Sequence, residues 1–183
     1  MPRISISDVN SLSDDKFECI FSNVIELYPS AAVGVKKMRP FAKVSDLHDA
    51  FSKHLQDLNY EEKIGILKLH PDLAGRLAAQ GRLTKESTNE QRAAGLHELT
   101  PEQKDIIDKY NDRYKTKFGF PFIICARENK IHSIIQGLQQ RYCNAKEEEV
   151  IMALEESQRS FNNGMRLSIR AWQEWEATNL EKE

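Results

Sequence analysis

Apolar positions in this chain recur at helical spacing, with sharp punctuation between the runs. In SDDKFECIFSNVIELYP, Phe17, Ile20, Phe21, Val24 and Ile25 share one face. Ser13 caps that run, Asp14 and Asp15 fill its first turn, and Pro29 lies just past its end. SDLHDAFSKHLQDL repeats Leu47, Phe51, Leu55 and Leu58. NYEEKIGILKLH opens with Asn59 and an acid three residues on, Glu62. TPEQKDIIDKY carries the clearest start: Thr100 as cap, Pro101 at the first helical position and Gln103 to complete a capping box, with Phe118-Gly119 as the stop. KIHSIIQGLQQRY puts Ile131, Ile134, Ile135, Leu138 and Tyr142 on one face. From Lys146 to Trp175, Val150, Ile151, Leu154, Phe161, Met165, Ile169 and Trp172 predict one long helix or two.

No run alternates in the manner of a strand. The nearest, FPFIICA from Phe120 to Ala126, is short, and Pro121 is foreign to a central strand. It reads as a buried extended segment or a helix start. The pattern therefore predicts an all-α, single-domain helical bundle over residues 1–183, with no substantial β-sheet.

Composition adds limits. With 40% hydrophobic and 30% charged residues the chain is ordinary globular material. Its formal net charge of -2, with acids and bases interspersed, gives no reason to expect nucleic acid or a membrane surface as partner. No apolar stretch is long enough to span a bilayer, and MPRISISDVNSL lacks a signal pattern. Cys19, Cys125 and Cys143 are widely spaced, suit a reducing compartment and read as packing residues. There is no glycine-rich phosphate loop, paired-histidine zinc helix or nucleophile elbow. His48, His54, His97 and His132 read as surface or boundary residues.

Candidate chemistry sits mid-chain. In LKLHPDLAGR, Pro71 disfavours helical geometry at the residue before it, so the helix should break at His70 and project its ring from a helix end. Asp72 is close enough in sequence to orient it. A histidine that only caps helix carbonyls accounts for the same position. In LTKESTNEQRAAG, Ser87 and Glu90 have capping-box spacing, a structural explanation. Ser87, Glu90 and Gln91 also share a face near a helix start, which suits a small, polar, anionic substrate.

HPDLAG, LTKEST with NEQ, and FGFPFIICAR, together with RPF at Arg39 to Phe41, resemble the OHCU decarboxylases, which act on 2-oxo-4-hydroxy-4-carboxy-5-ureidoimidazoline in urate degradation. The resemblance runs over nearly the whole chain. It implies an all-α fold, no metal and no organic cofactor, and (S)-allantoin as product. His70 matches the catalytic histidine, with Glu90 as its catalytic partner. Pro71, Ser87 and Gln91 match substrate-contacting positions, as do the backbone amides around Phe122 and Ile123. Arg166 in GMRLSI matches a late arginine of the family's last long helix, with Arg159 and Arg170 as alternatives. The implied partner is the small-molecule substrate, with a homodimer besides. The implied location is peroxisomal or cytoplasmic, and the chain ends NLEKE rather than in Ser-Lys-Leu. Two other classes fit the residues alone: a helical interaction module in which these motifs are structural, and a hydrolase of a related ureide using His70 and Glu90 to activate water.

Overall fold

The structure, a computed structural model, describes residues 5–160. Every regular element among them is a helix, as the apolar spacing predicts. The chain folds as two compact units, with the boundary between Asn59 and Tyr60. No helix of the described residues is long and apolar enough to cross a membrane.

The first unit contains α1 (Ile6–Ser11), α2 (Asp14–Phe21), α3 (Ser30–Val35) and α4 (Val44–Asp57). The Ser13 hydroxyl caps α2 by accepting from the Lys16 N–H. The helix then stops at Phe21, well short of Pro29. Local polar side chains explain this. Ser22 donates to the Cys19 carbonyl, and Asn23 accepts from the Leu27 N–H at 2.9 Å. Such bonds compete with the helical ladder, and Leu27 ends in the left-handed region at φ 54°. Val24 and Ile25 are buried all the same, so the pattern marked the core positions but not their backbone. The rings of Phe17 and Phe21, and of Phe21 and Phe51, pack with centroids 4.6 Å and 6.1 Å apart. Arg39 of RPF serves this unit: its guanidinium bonds the Leu12 carbonyl and Asp14 and lies over the Phe17 ring.

The second unit contains α5 (Tyr60–Leu67), α6 (Arg76–Ala79), α7 (Lys85–Ala93), α8 (Pro101–Phe118) and α9 (Ile131–Arg141), then α10, helical over 146–160. All the signals read for α8 are realised. Thr100 and Gln103 exchange capping bonds, and Gly119 closes the helix at φ 84°, which glycine adopts without cost. FPFIICA is an extended buried segment that enters a 3-10 turn at Ala126–Glu128. Tyr114 and Phe118 of α8 pack against Phe120 and Phe122, with the Tyr114 and Phe122 rings edge to face at 5.3 Å. Ile134, Leu138, Val150 and Ala153 complete this core.

Two further sequence expectations fail here. Ile151 is 59% exposed, because the buried stripe of α10 runs through Glu149, Val150, Ala153 and Ser157 instead. Cys19 and Cys143 are exposed, and of the three cysteines only Cys125 packs inside.

Candidate active site

The break at His70 is built from both sides. Regular helix ends at Leu67, and the last turn tightens through bonds from Leu69 N–H to the Ile66 carbonyl at 3.0 Å and from His70 N–H to the Leu67 carbonyl at 3.4 Å. Pro71 has no N–H with which to continue. The loop that follows is tied down at successive residues. Asp72 pairs with Lys115 of α8 at 2.6 Å. The Leu73 carbonyl accepts from Asn111 at 3.0 Å, and the Ala74 N–H donates to Gln91 at 2.9 Å. Ala74 sits at φ 48°, an uncommon conformation for a residue with a Cβ. Asp72 is therefore not the group that orients His70: its carboxylate is held by Lys115, and the ring nitrogens face elsewhere.

Gly75 is required by space. A Cβ there would lie 2.5 Å from the Cβ of Asp72. Gly75→Ala should cost on the order of 1–3 kcal/mol, as other overpacked sites do. Urea denaturation measures this, and an unchanged midpoint would show that the loop is not as tightly anchored as these contacts indicate.

The His70 ring is bracketed at both nitrogens. Nδ1 lies 3.3 Å from the Ile66 carbonyl and Nε2 lies 3.1 Å from the Ser157 hydroxyl. A carbonyl only accepts, so Nδ1 carries the proton. The residue as a whole is half-buried, but its ring nitrogens are desolvated, and that loss of water pushes its pKa down to about 4 against the bond to Ile66. The ring is thus neutral near pH 7, with the Nε2 lone pair accepting from Ser157. The sign for stability follows. The unfolded chain takes up a proton near pH 6.5 and the folded one only near 4. The contribution is complete above pH 6.5 and is lost as pH falls from there to about 4. Relative to His70→Asn, the wild type should lose on the order of 2–3 kcal/mol over that interval. Denaturation curves of both proteins at about pH 7 and about pH 4 provide the check, and parallel losses would contradict it.

α7 corrects the cap assignment. Thr84, not Ser87, caps this helix, accepting from the Ser87 N–H at 3.2 Å. Ser87 and Glu90 are therefore inside the helix, and the capping-box explanation for the pair falls. Ser87 and Gln91 are buried, and Glu90 is half-buried. Gln91 has its side-chain oxygen committed to Ala74, so it holds the loop that follows Pro71. Glu90 lies near Cys125: burial first, then the Glu90 and Glu128 carboxylates, push that thiol above its ordinary range, opposed by a bond to Ser160.

Phe122 and Ile123 have buried side chains, so any contact with a ligand there is left to main-chain atoms. The segment is held from behind. Arg141 donates to the Ile123 carbonyl at 2.8 Å and lies over the Phe122 ring at 4.6 Å. Arg141 is itself bound to Glu149, which also accepts from Tyr114 and, at 2.7 Å, from Asn144. Burial and the bond to Glu149 keep the Tyr114 phenol protonated far above its usual range.

α10 joins the parts. Ser157 meets His70, while Glu156 accepts from the Cys125 N–H at 2.9 Å. The sequence pattern marks neither Ser157 nor Glu156, although both lie on the stripe begun by Glu149 and Ala153. Arg159 is 57% exposed and paired with Glu156 at 3.1 Å, a surface ion pair. Arg166 and Arg170 lie outside the described residues. Among the described residues no cluster of three His, Cys, Asp or Glu is placed to hold a metal ion.

The sequence model of the OHCU decarboxylase family matches residues 10–161. The chain belongs to the OHCU decarboxylase family. The 2-oxo-4-hydroxy-4-carboxy-5-ureidoimidazoline decarboxylase of Xenopus laevis is 40% identical over 147 residues, 80% of this chain and 84% of that protein. Two crystal structures share the fold of this family member. An (S)-allantoin synthase superposes with TM-score 0.73 at 19% identity, over 90% of this chain and 53% of that one. An OHCU decarboxylase in the presence of (S)-allantoin superposes with TM-score 0.67 at 18% identity, over 87% and 99%.

Proposed function

We propose that this protein removes carbon dioxide from 2-oxo-4-hydroxy-4-carboxy-5-ureidoimidazoline and yields (S)-allantoin. The observation that carries this reading is a desolvated, neutral His70 at a tethered helix break, joined through α10 to the segment of Phe122 and Ile123, in a chain of this family. When the bond from the ring carbon to the carboxylate breaks, its electron pair passes into the adjacent imine of the heterocycle. The substrate thus supplies its own electron sink. A proton is then added to the neighbouring ring carbon, the hydroxyl becomes a carbonyl, and overall one proton is taken up for each carbon dioxide released.

His70 fits the proton-handling role: its Nε2 is unprotonated at rest and can take a substrate proton and return it on one face. Glu90 acts beside it on the substrate hydroxyl. Ser87 and Gln91 read polar edges of the ring and ureido group, with Pro71 against the ring. The main chain at Phe122 and Ile123 faces developing negative charge, where fixed donors are worth most. Arg166 takes a carboxylate or carbonyl with its planar fork. Residues 1–183 act as one functional domain, and a homodimer in the peroxisome or cytoplasm belongs to the same reading.

Glu90→Gln separates catalysis from architecture. Thr84 already caps α7, and glutamine keeps the shape and an acceptor of the half-buried side chain, so the variant should stay within about 1 kcal/mol of wild type while losing on the order of 100-fold in rate. Full activity would remove Glu90 from the chemistry. The reaction class is tested with substrate labelled in its carboxylate. Label in carbon dioxide, at the rate of substrate loss, is the expected result. Label kept in a ring-opened product would favour ureide hydrolysis, and no acceleration over the spontaneous reaction would favour an interaction module.

A further inference from the structure

We propose that Ser157 is the positioning residue of His70, holding the imidazole so that Nε2 presents a lone pair to the substrate. The inference rests on the decarboxylase reading and adds a residue to it. Ser157 is 3% exposed and lies on α10, 87 residues from His70 in sequence. A serine inside a helix commonly turns its hydroxyl back to a carbonyl of the preceding turn. Here the hydroxyl meets Nε2 at 3.1 Å.

The direction of that bond is fixed by the other nitrogen. Nδ1–H is committed to the Ile66 carbonyl, so Nε2 has no proton and Ser157 donates to it. Bonds at both nitrogens set the ring plane, and no charged partner is needed to do so. The arrangement also survives protonation. If Nε2 gains a proton during turnover, the Ser157 O–H rotates and its oxygen accepts from the new N–H. The same hydroxyl thus serves both states of the ring without moving it. When substrate arrives, its proton-donating group joins the Ser157 hydroxyl at Nε2 in a three-centre hydrogen bond, so the ring stays held at both nitrogens through turnover.

The same turn of α10 adds a second tether. Glu156 accepts from the Cys125 N–H, so adjacent residues of one helix register His70 against the extended segment before Ala126. A ring released on one side is free to tilt, and misplacement by about 1 Å costs on the order of 100-fold in rate.

The experiment compares wild type, Ser157→Ala and Ser157→Thr by steady-state kinetics, melting curves and ¹⁵N NMR of the histidine rings. Ser157→Ala should lower kcat roughly 10- to 100-fold with KM changed less than about threefold, and Ser157→Thr should keep most of kcat. In Ser157→Ala the His70 Nε2 resonance should move downfield, as a pyridine-type nitrogen does when it loses a donor, at a melting temperature close to wild type. An Ala variant with unchanged kcat and an unmoved Nε2 resonance would overturn the inference. Wild type without turnover would overturn the decarboxylase reading, and the NMR arm would still decide whether Ser157 holds the ring.

Discussion

His70→Ala should reduce turnover by about 10²–10⁴-fold, the range that a positioned proton-transfer group supplies. The fold should survive, because among the described residues the ring makes two neutral hydrogen bonds, each worth about 1 kcal/mol. The loop is independently anchored through Asp72, Leu73 and Ala74. His70→Asn should recover little, since an amide cannot carry the proton. Initial rates with freshly generated substrate, alongside melting curves, decide the point. Turnover within about threefold of wild type at equal stability would remove His70 from the mechanism and return it to the role of a helix-ending histidine.

The largest effect on stability is expected at Glu149. Its side chain is fully buried and receives Arg141, Tyr114 and Asn144. Glu149→Ala leaves the Arg141 guanidinium buried without its carboxylate, a change that typically costs ~3–5 kcal/mol. Glu149→Gln, which keeps an acceptor of the same shape, should cost less than the alanine variant. The consequence reaches the site, because Arg141 also holds the Ile123 carbonyl. Activity per folded molecule should therefore fall in both variants. Urea denaturation monitored by circular dichroism measures the loss, and a cost below about 1 kcal/mol for Glu149→Ala would mean that the buried pair is replaceable by water or by rearrangement.

Elements with strong local signals were legible in the sequence. α8 carries its cap, its first-turn proline and its terminal glycine within its own residues, and all three act as read. The break at His70 is signalled by Pro71, although the regular helix already ends at Leu67. Where a local signal had a near equivalent, the reading slipped. Thr84 and Ser87 are both good caps three residues apart, and the choice between them depends on how Gln91 and Ser87 are buried by the rest of the unit. The end of α2 depends on the Asn23 side chain winning over the ladder, which apolar spacing does not register. Long-range partners left no local trace at all. Glu149 stands in KEEEV, which resembles a solvated acidic face, and Ser157 in EESQRS, which resembles a polar one. Only the approach of segments distant in sequence turns the first into the acceptor for Arg141 and the second into the donor for His70.

The central claim is that this chain catalyses a stereospecific decarboxylation. It is tested most directly by generating the ureidoimidazoline substrate in the cuvette and following the circular dichroism of the product with and without the protein. The account predicts rapid appearance of the (S)-allantoin signal, at a rate proportional to protein concentration, against slow racemic formation without it. A signal that stays flat, or that grows at the spontaneous rate, would contradict it.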